Sequence, residues 1–368
     1  AWVESYYGVP RAGMVLTFLN QRLGPAELAG IVESAEATVI IGQNSHLERL
    51  APLFAEGRMA SVTTTVAAET AYEDLLSAAD MPPTSETLSA ADVAWLIYTS
   101  GTTGHPKGAM LTHTNVVAGA LNGALCRPVA EHDVYLMPFP LCHVAGHNVL
   151  IQHLHGRPVV LVARFDAPTF VEVIAGNAVT TASLAPTMLS SLLDHVAGNA
   201  DAAEVLRSLR AIGYGASAMP VELLRRILNE ISADLSQGYG MTELAGNATF
   251  LGPAEHRRAA TGDTRLLASC GRPGPMADVR VVDAAGHDVA TGELGEIVVR
   301  GDQVTVGYWR DPEATRAAFI GPWFRTGDLG RIDDDGYLYV IDRAKDIIIT
   351  GGENVASLEV EDAILALE

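Results

Sequence analysis

From Val93 onward, short apolar runs alternate with helical patterns, and this alternation restricts the chain to few folds. "VAWLIYTS" (93–100) reads as a buried strand and "HTNVVAGALNGAL" (113–125) as a helix. "DVYLMPFPL" is strand-like and leads into a helical stretch from Val144. "RPVVLVARF", "AVTTASLAP", "LRAIGYGAS" and "ADLSQGYG" read as further strands. "APTFVEVIAG", "PTMLSSLLDHVAG" and "PVELLRRILNEI" read as the helices between them. Pro186 suits a first helical turn and Gly198 a helix end. Strand and helix in turn predict an α/β chain built on a mainly parallel, helix-covered sheet. Such sheets bind ligands at the carboxyl ends of their strands. The glycine-rich segments "SGTTGHPKG", "GYGASAMP" and "GYGMTELAG" are expected at such ends.

The pattern changes near Cys270. "ADVRVVDAAGHDVATGELGEIVVRG" has short alternating strands with turns at Ala285-Gly286 and Thr291-Gly292, and "RIDDDGYLYVIDR" reads as a hairpin around Asp335-Gly336. A small β-barrel-like unit over about 271–342 is therefore expected to follow the α/β part, the two forming one large domain over 1–342. A boundary is placed near Asp342 to Lys345, and residues 343–368 read as a hinge and the start of a small α+β domain: a strand, a glycine turn and a helix. Residues 66–89, with Pro82-Pro83, read as a surface connection.

Composition excludes several partners. The formal net charge of −20 disfavours nucleic acid and anionic membrane surfaces, so an anionic ligand must be held by local features. No apolar run is long enough to span a bilayer. Cys126, Cys142 and Cys270 lack metal-ligand spacing, and a reducing cytoplasm fits them better than a disulfide framework. His143, His147, His153 and His155 lie close in sequence but carry no metal-binding carboxylate pattern.

"YTSGTTGHPKG" (98–108) has what a phosphate cradle needs: glycines that bare the backbone, hydroxyls that donate and a lysine that adds charge. It is not a Walker loop, because that pattern fails at Pro106 and Gly108. By itself it could equally be a surface turn of small residues.

The eleven-residue string resembles the signature of the adenylate-forming superfamily, which includes acyl- and aryl-CoA ligases, luciferases and peptide-synthetase adenylation domains. The other motifs follow in the same order. "GYGASAMP" is similar to the adenine-contacting segment, "GYGMTE" to the motif that meets the α-phosphate and Mg²⁺, and "WFRTGDLG" to the ribose-binding motif. "DRAKDIIITGGENV" resembles the hinge and glycine turn that lead into the small C-terminal domain.

The resemblance implies a two-step ligase reaction: a carboxylate attacks the α-phosphate of ATP, and a thiol then attacks the acyl-adenylate. It implies ATP, Mg²⁺ and coenzyme A as cosubstrates or cofactors, with a small carboxylic acid as the other partner. Ser100, Gly101, Thr102, Thr103, Gly104 and Lys107 would hold the β- and γ-phosphates. Gly215, Ala216 and Ser217, with Gly238, Tyr239, Gly240 and Met241, would line the nucleotide. Thr242 would meet the α-phosphate, Glu243 would hold Mg²⁺ with Thr99 as co-ligand, and Asp328 and Arg343 would take the ribose. His143 is implied beside the reacting carboxylate, although its setting also suits a core histidine at a helix start. Ala145, Val149, Tyr214, Gly215, Gly238 and Gly246, with Tyr239, would line the acyl pocket. Lys345 would be the hinge, and Gly351 and Gly352 would lie along coenzyme A.

No acidic residue stands where an α-amino group would be held, so an unsubstituted acid is expected, a fatty acid first and a hydroxycinnamate or benzoate type second. Loading of a carrier protein is the alternative to coenzyme A as acceptor, and a homodimer is admitted. A noncatalytic nucleotide scaffold is disfavoured by the intact Lys107, Glu243, Asp328 and Arg343. Both ends read as cut, and no second "GK" lysine follows Lys345. The 368-residue chain is therefore expected to bind ATP but to adenylate poorly. Pyrophosphate exchange by this chain and by a longer version checks this, and equal rates overturn it.

Overall fold

The computed structural model describes residues 1–79, 87–99, 106–215, 217 and 219–343, and the backbone strands Ile348–Thr350 and Glu353–Val355. The chain divides into two compact units.

The first unit comprises Ala1–Val116, Pro140–Val144 and Thr305–Thr315. It contains α1 (Trp2–Arg11), β1 (Leu16–Thr17), α2 (Pro25–Ala35), β2 (Val39–Gly42), α3 (Asn44–Ala55), β3 (Thr64–Ala67), α4 (Tyr72–Ala78), β4 (Val93–Thr99) and β5 (Lys107–Thr112). Tyr6, Phe18 and Trp95 form its aromatic centre, with ring centroids 4.9–5.6 Å apart. The Tyr6 hydroxyl donates to the Leu141 carbonyl, which satisfies a polar tip that burial would otherwise penalise. A second cluster forms where α2 and α3 cover β2, with Ala29, Val32, Leu50 and Met59 buried. The connection expected over 66–89 is partly ordered structure, since its described part includes the end of β3 and all of α4.

One expectation is corrected here. "SGTTGHPKG" does not follow a strand of the large parallel sheet. It joins β4 to the antiparallel β5 in a separate three-stranded sheet, with Thr99 and Lys107 in register. A loop between adjacent antiparallel strands is a hairpin connection, not a crossover. The strand β5 was hidden because "KGAMLT" carries a glycine and no clean alternation.

The second unit comprises Val117–Phe139, Ala145–Val304 and Arg316–Glu368. It takes most of α5 (His113–Cys126), then β6 (Tyr135–Met137), α6 (His147–Leu154), β7 (Val159–Leu161), α7 (Ala167–Gly176), β8 (Thr181–Leu184), α8 (Pro186–Val196), α9 (Ala200–Arg207), β9 (Ala211–Gly215), α10 (Val221–Glu230), β10 (Asp234–Met241), β11 (Gly246–Leu251) and α11 (Pro253–Thr261). With β12 (Arg272–Pro273), its strands form a seven-stranded sheet in the order β12-β11-β10-β9-β8-β6-β7. The stretch from β10 to β7 is parallel, as expected, while β11 and β12 run antiparallel to it.

The helices start and stop for legible reasons. Asp166 and Asn199 cap α7 and α9 by accepting from the amides of Thr169 and Ala202, each at 3.1 Å. Pro186 opens α8, and Gly198 follows it at φ +78°. In α10, Leu224 and Ile227 are fully buried while Arg225 and Arg226 pair with surface acids. Burial of each such side chain contributes about 1.5–3 kcal/mol.

Beyond Cys270 the strands β13 (Asp278–Val282), β14 (Gly295–Arg300), β15 (Phe319–Ile320), β16 (Trp323–Ile332) and β17 (Leu338–Arg343) form an antiparallel sheet, open like half a barrel, around Ile297, Val299, Phe324 and Leu338. The last two strands, β18 (Ile348–Thr350) and β19 (Glu353–Val355), pair antiparallel, so the chain after Gly352 first makes a strand. The helix expected after it and the boundary residue Lys345 lie outside the described residues.

Glycine chemistry gives a test of packing. Gly30 in α2 has open space where a Cβ would go, so Gly30→Ala should raise stability by about 1 kcal/mol. Gly119 in α5 lies against the Ala245 carbonyl and the His147 ring, and a Cβ there would overlap both. The same substitution there should cost about 1–3 kcal/mol despite its better helix propensity. Denaturant unfolding of both variants checks the opposite signs.

Candidate active site

In the first unit, Thr99 and Lys107 close the base of the β4–β5 hairpin, and the Thr99 hydroxyl donates to the Lys107 carbonyl at 3.4 Å. The Lys107 ammonium lies 5.4 Å from the centre of the Tyr308 ring, a cation–π contact. The segment around Gly307 braces the hairpin: Met110 donates to the Gly307 carbonyl at 2.9 Å and Trp309 to that of Gly108 at 2.8 Å. Ser100, Gly101, Thr102, Thr103 and Gly104 lie outside the described residues. His143 is an exposed residue, yet the protein around its ring lowers its pKa by desolvation, which favours the neutral imidazole.

In the second unit, two of the glycine-rich motifs sit at the carboxyl ends of β9 and β10. A Cβ on Gly215 would stand 2.6 Å from the Gly238 carbonyl, and one on Gly240 would overlap the Gly246 backbone. The glycines thus have a packing reason of their own. Where β10 meets β11, Tyr239 pairs with Thr249 and Gly240 with Asn247, which leaves Ala248 as a bulge. The chain then turns through a short 3-10 segment, Thr242–Leu244, and Ala245 takes a left-handed φ of +48°. Thr242 and Glu243 are buried in that turn.

A buried amide network holds the turn in place. Asn122, fully buried in α5, donates to Gln303 at 2.6 Å and to the Asn247 carbonyl at 3.1 Å. Gln303 in turn donates to the carbonyls of Leu244 and Asn247 at 2.7 and 3.1 Å. Neither residue was picked out from sequence. The available signal was a lone asparagine inside the apolar helix pattern "GALNGAL".

The expected ribose pair is together. Asp328 and Arg343 face each other across β16 and β17, with Arg343 Nε 3.4 Å from Asp328 Oδ1. The Tyr239 hydroxyl donates to Asp328 Oδ2 at 2.6 Å. Thr326 accepts from the Asp328 amide at 3.1 Å and donates to the Ile297 carbonyl at 2.8 Å, fixing the strand. Asp328 is 7% exposed, so the carboxylate sits in a dry setting where each such bond counts for more.

Other expected site residues are placed differently. Tyr214, read as lining the acyl pocket, points the other way: its hydroxyl bonds His256 Nε2 at 2.8 Å, and it belongs to the hydrophobic core. The reason is strand alternation, which sends Tyr214 to the face opposite Gly213 and Gly215. Val149 is fully buried in α6, Ala145 is partly buried, and Ser217 is exposed. Met241 and Gly246 are partly buried, the latter at φ +125°. Ala216, Lys345, Gly351 and Gly352 lie outside the described residues. No helix among the described residues is long and apolar enough to cross a membrane. No group of three or more candidate metal ligands occurs among them either. A single buried carboxylate such as that of Glu243 suits a magnesium ion that keeps most of its ligands from phosphates and water.

Residues 1–309 match the family model described as AMP-binding enzyme. The chain belongs to the AMP-binding enzyme family. It is 38% identical over 367 residues to a feruloyl-CoA synthase from an Amycolatopsis species, covering 99% of this chain and 70% of that protein. It is 34% identical over 365 residues to a long-chain-fatty-acid–CoA ligase of Mycobacterium tuberculosis, covering 98% and 70%. Its fold matches the o-succinylbenzoate coenzyme A synthetase of Bacillus subtilis in complex with ATP and magnesium, with a TM-score of 0.82 and 30% identity over 99% of this chain and 72% of that one.

The Tyr239–Asp328 bond has a measurable consequence. Burial first, then the Asp328 charge and hydrogen bond, raise the Tyr239 pKa well above its ordinary value. The folded protein therefore holds this proton more tightly than the unfolded chain does. The stabilisation is fully present below the unfolded tyrosine pKa of about 10 and is lost as pH rises above it. Tyr239→Phe should flatten the alkaline decline in melting temperature, with a lower plateau near neutrality. Melting curves across pH 7–11 for both proteins, a window of about this width set by the tyrosine pKa, provide the check.

Proposed function

We propose that this chain activates a carboxylic acid with ATP, forming an acyl-adenylate and pyrophosphate, and passes the acyl group to the thiol of coenzyme A. The observation that carries the reading is the Tyr239–Asp328–Arg343 arrangement beside the buried Thr242–Glu243 turn. Asp328 offers two acceptor oxygens to a pair of vicinal hydroxyls, and Tyr239 holds it in one orientation. Arg343, with its side chain 58% exposed, retains donors for the same sugar.

The chemistry at phosphorus asks for positioning and charge stabilisation more than for covalent participation. Thr242 is the proposed donor to the α-phosphate oxygens, and the amide network of Asn122 and Gln303 holds its turn against displacement. Glu243 is the proposed carboxylate ligand to magnesium, which supplies charge neutralisation when bound. Lys107 is proposed to hold the departing pyrophosphate. Neutral His143 is proposed to orient the acid, and the remaining expected nucleotide and pocket residues, Tyr214 excepted, are proposed to keep the roles given by the motifs. Relatives acting on an aromatic acid and on long-chain fatty acids both support a carboxylic acid substrate.

A pyrophosphate-release screen on a longer version of the protein, with ATP, coenzyme A and a panel of carboxylic acids, tests the reading. Acid-dependent release of pyrophosphate is expected, and release of inorganic phosphate instead would overturn it. Glu243→Gln should lower kcat by roughly 100-fold or more with little change in fold, as loss of a charge-stabilising group does. Asp328→Asn should chiefly raise the KM for ATP, by roughly 10-fold, the worth of a charged hydrogen bond. Unchanged kinetics in either variant would remove that residue's assignment.

A further inference from the structure

Polar groups with unmet bonds collect on one face of the parallel sheet, toward the amino ends of its strands. A cleft there is lined by Arg127, Tyr135, Gln152, Thr181, Ser183 and Ser236, with room for about two water molecules. Gln152, Thr181 and Ser236 are 5, 7 and 5% exposed. Their side-chain oxygens have no hydrogen-bond partner among the described residues. Leaving such groups unmet costs about 1–3 kcal/mol each, so the cluster is expensive as a purely structural device.

Arg127 supplies the charge. It follows α5 directly, and its Nη1 donates to Asn148 Oδ1 at 2.7 Å and to Ser183 Oγ at 3.4 Å. No carboxylate pairs with it among the described residues. Asp133, on the same cleft, is already committed: it accepts from Arg210, from the Thr180 hydroxyl at 2.8 Å and from the Ala130 amide at 2.6 Å. Burial lowers the Arg127 pKa, the mark of a guanidinium held away from water without a counter-charge.

The cleft lies one row of the sheet below two glycines expected to line the acyl pocket. Ser183, Gly213 and Ser236 lie in one register row across β8, β9 and β10. The next row on that face, two residues toward the carboxyl ends, is Gly215 and Gly238. That step is about 7 Å. A Cβ on Gly213 would lie 3.0 Å from Ser183 Oγ and 3.5 Å from Arg127 Nη1, so the glycine lets the guanidinium approach the strand backbone closely. On α6, Asn148 and Gln152 share a helix face.

We propose that this cleft receives the far end of the acid, so that the chain selects short or aromatic acids bearing a second, distal anionic oxygen such as a carboxylate. The inference rests on the acid-activating reading above. A distal carboxylate would meet Arg127 by charge-assisted bonds, and donors from Ser236 and Thr181 would complete its shell. An alkyl end would bury the same groups and return nothing. The span of about two strand residues suits a ring or a short chain.

Matched acids, assayed with a longer version of the protein, test this: terephthalate against 4-methylbenzoate, and adipate against hexanoate. Wild-type protein should favour the diacid of each pair in kcat/KM for pyrophosphate release. Arg127→Leu should lower that preference by roughly 10- to 100-fold, the worth of a buried charged bond, and Arg127→Lys should recover part of it. Ser236→Ala and Gln152→Leu, which remove less, guard against misfolding of the arginine variant and should each shift the preference in the same direction. Calorimetric binding of the diacid gives the same comparison without turnover. Preference for the apolar acid, or equal loss on both acids in every variant, would overturn the inference while leaving acid activation intact. Absence of pyrophosphate release with every acid would instead overturn the acid-activating reading, and this one with it. Protection of Arg127 by sulfate that does not compete with the acid would mark a separate anion site and overturn the inference.

Discussion

The second unit depends on bare backbone meeting bare backbone at the carboxyl ends of β9, β10 and β11. Gly215 stands against the Gly238 carbonyl, Gly238 against Asn247, and Gly240 against the Gly246 backbone. No side chain fits at any of these contacts. Their closeness lets β11 fold back on β10 through the Thr242–Leu244 turn, and the bulge beside Tyr239 directs its hydroxyl to Asp328. A larger residue at Gly240 would not merely crowd a ligand. It would move the strand that carries Tyr239 and, through the turn, the buried Glu243.

That observation changes how the glycine motifs are read. Glycine-rich segments after strands suggest room for phosphate, and the hairpin base at Thr99 and Lys107 fits that idea. In "GYGMTE" the glycines are instead consumed by packing between strands, and the residues left for a ligand are those of the turn that follows. Turn and glycines are needed together, which explains why they sit adjacent in the chain.

Much of this was legible from residue pattern. The helices α5 to α8 and α10 and the five strands between Tyr135 and Met241 lie where alternation and end signals put them, because each buries a stripe that its period exposes, while α9 was missed. The pairing of Asp328 with Arg343 also followed from motif order. Tyr214 was misplaced because a single-residue shift in strand parity sends a side chain to the other face, and parity is set by neighbours the sequence does not display. The strands β5 and β11 were missed because their glycines and hydroxyls weaken the alternation. Asn122, Gln303 and Arg127 act through partners 181, 59 and 21 residues away, so no local pattern could announce them.

Two arginines at the amino ends of the same strands make the last point. Arg210, just before β9, meets the buried Asp133 with paired bonds, a match that offsets the cost of removing both charges from water. Among the described residues Arg127 donates instead to the neutral oxygens of Asn148 and Ser183. Stability alone would favour an apolar residue of similar volume at such a place, since a buried guanidinium without a counter-charge loses hydration and regains little. The chain also carries a net charge of −20, so carboxylates to pair with Arg127 are not scarce. A guanidinium with no carboxylate partner among the described residues, sharing a cleft with three unmet hydroxyl and amide oxygens, is therefore chemically matched to an anion. A group that suits it is small, anionic and rich in acceptor oxygens, and the row of Ser183, Gly213 and Ser236 lies one step below Gly215 and Gly238 on the same face of the sheet.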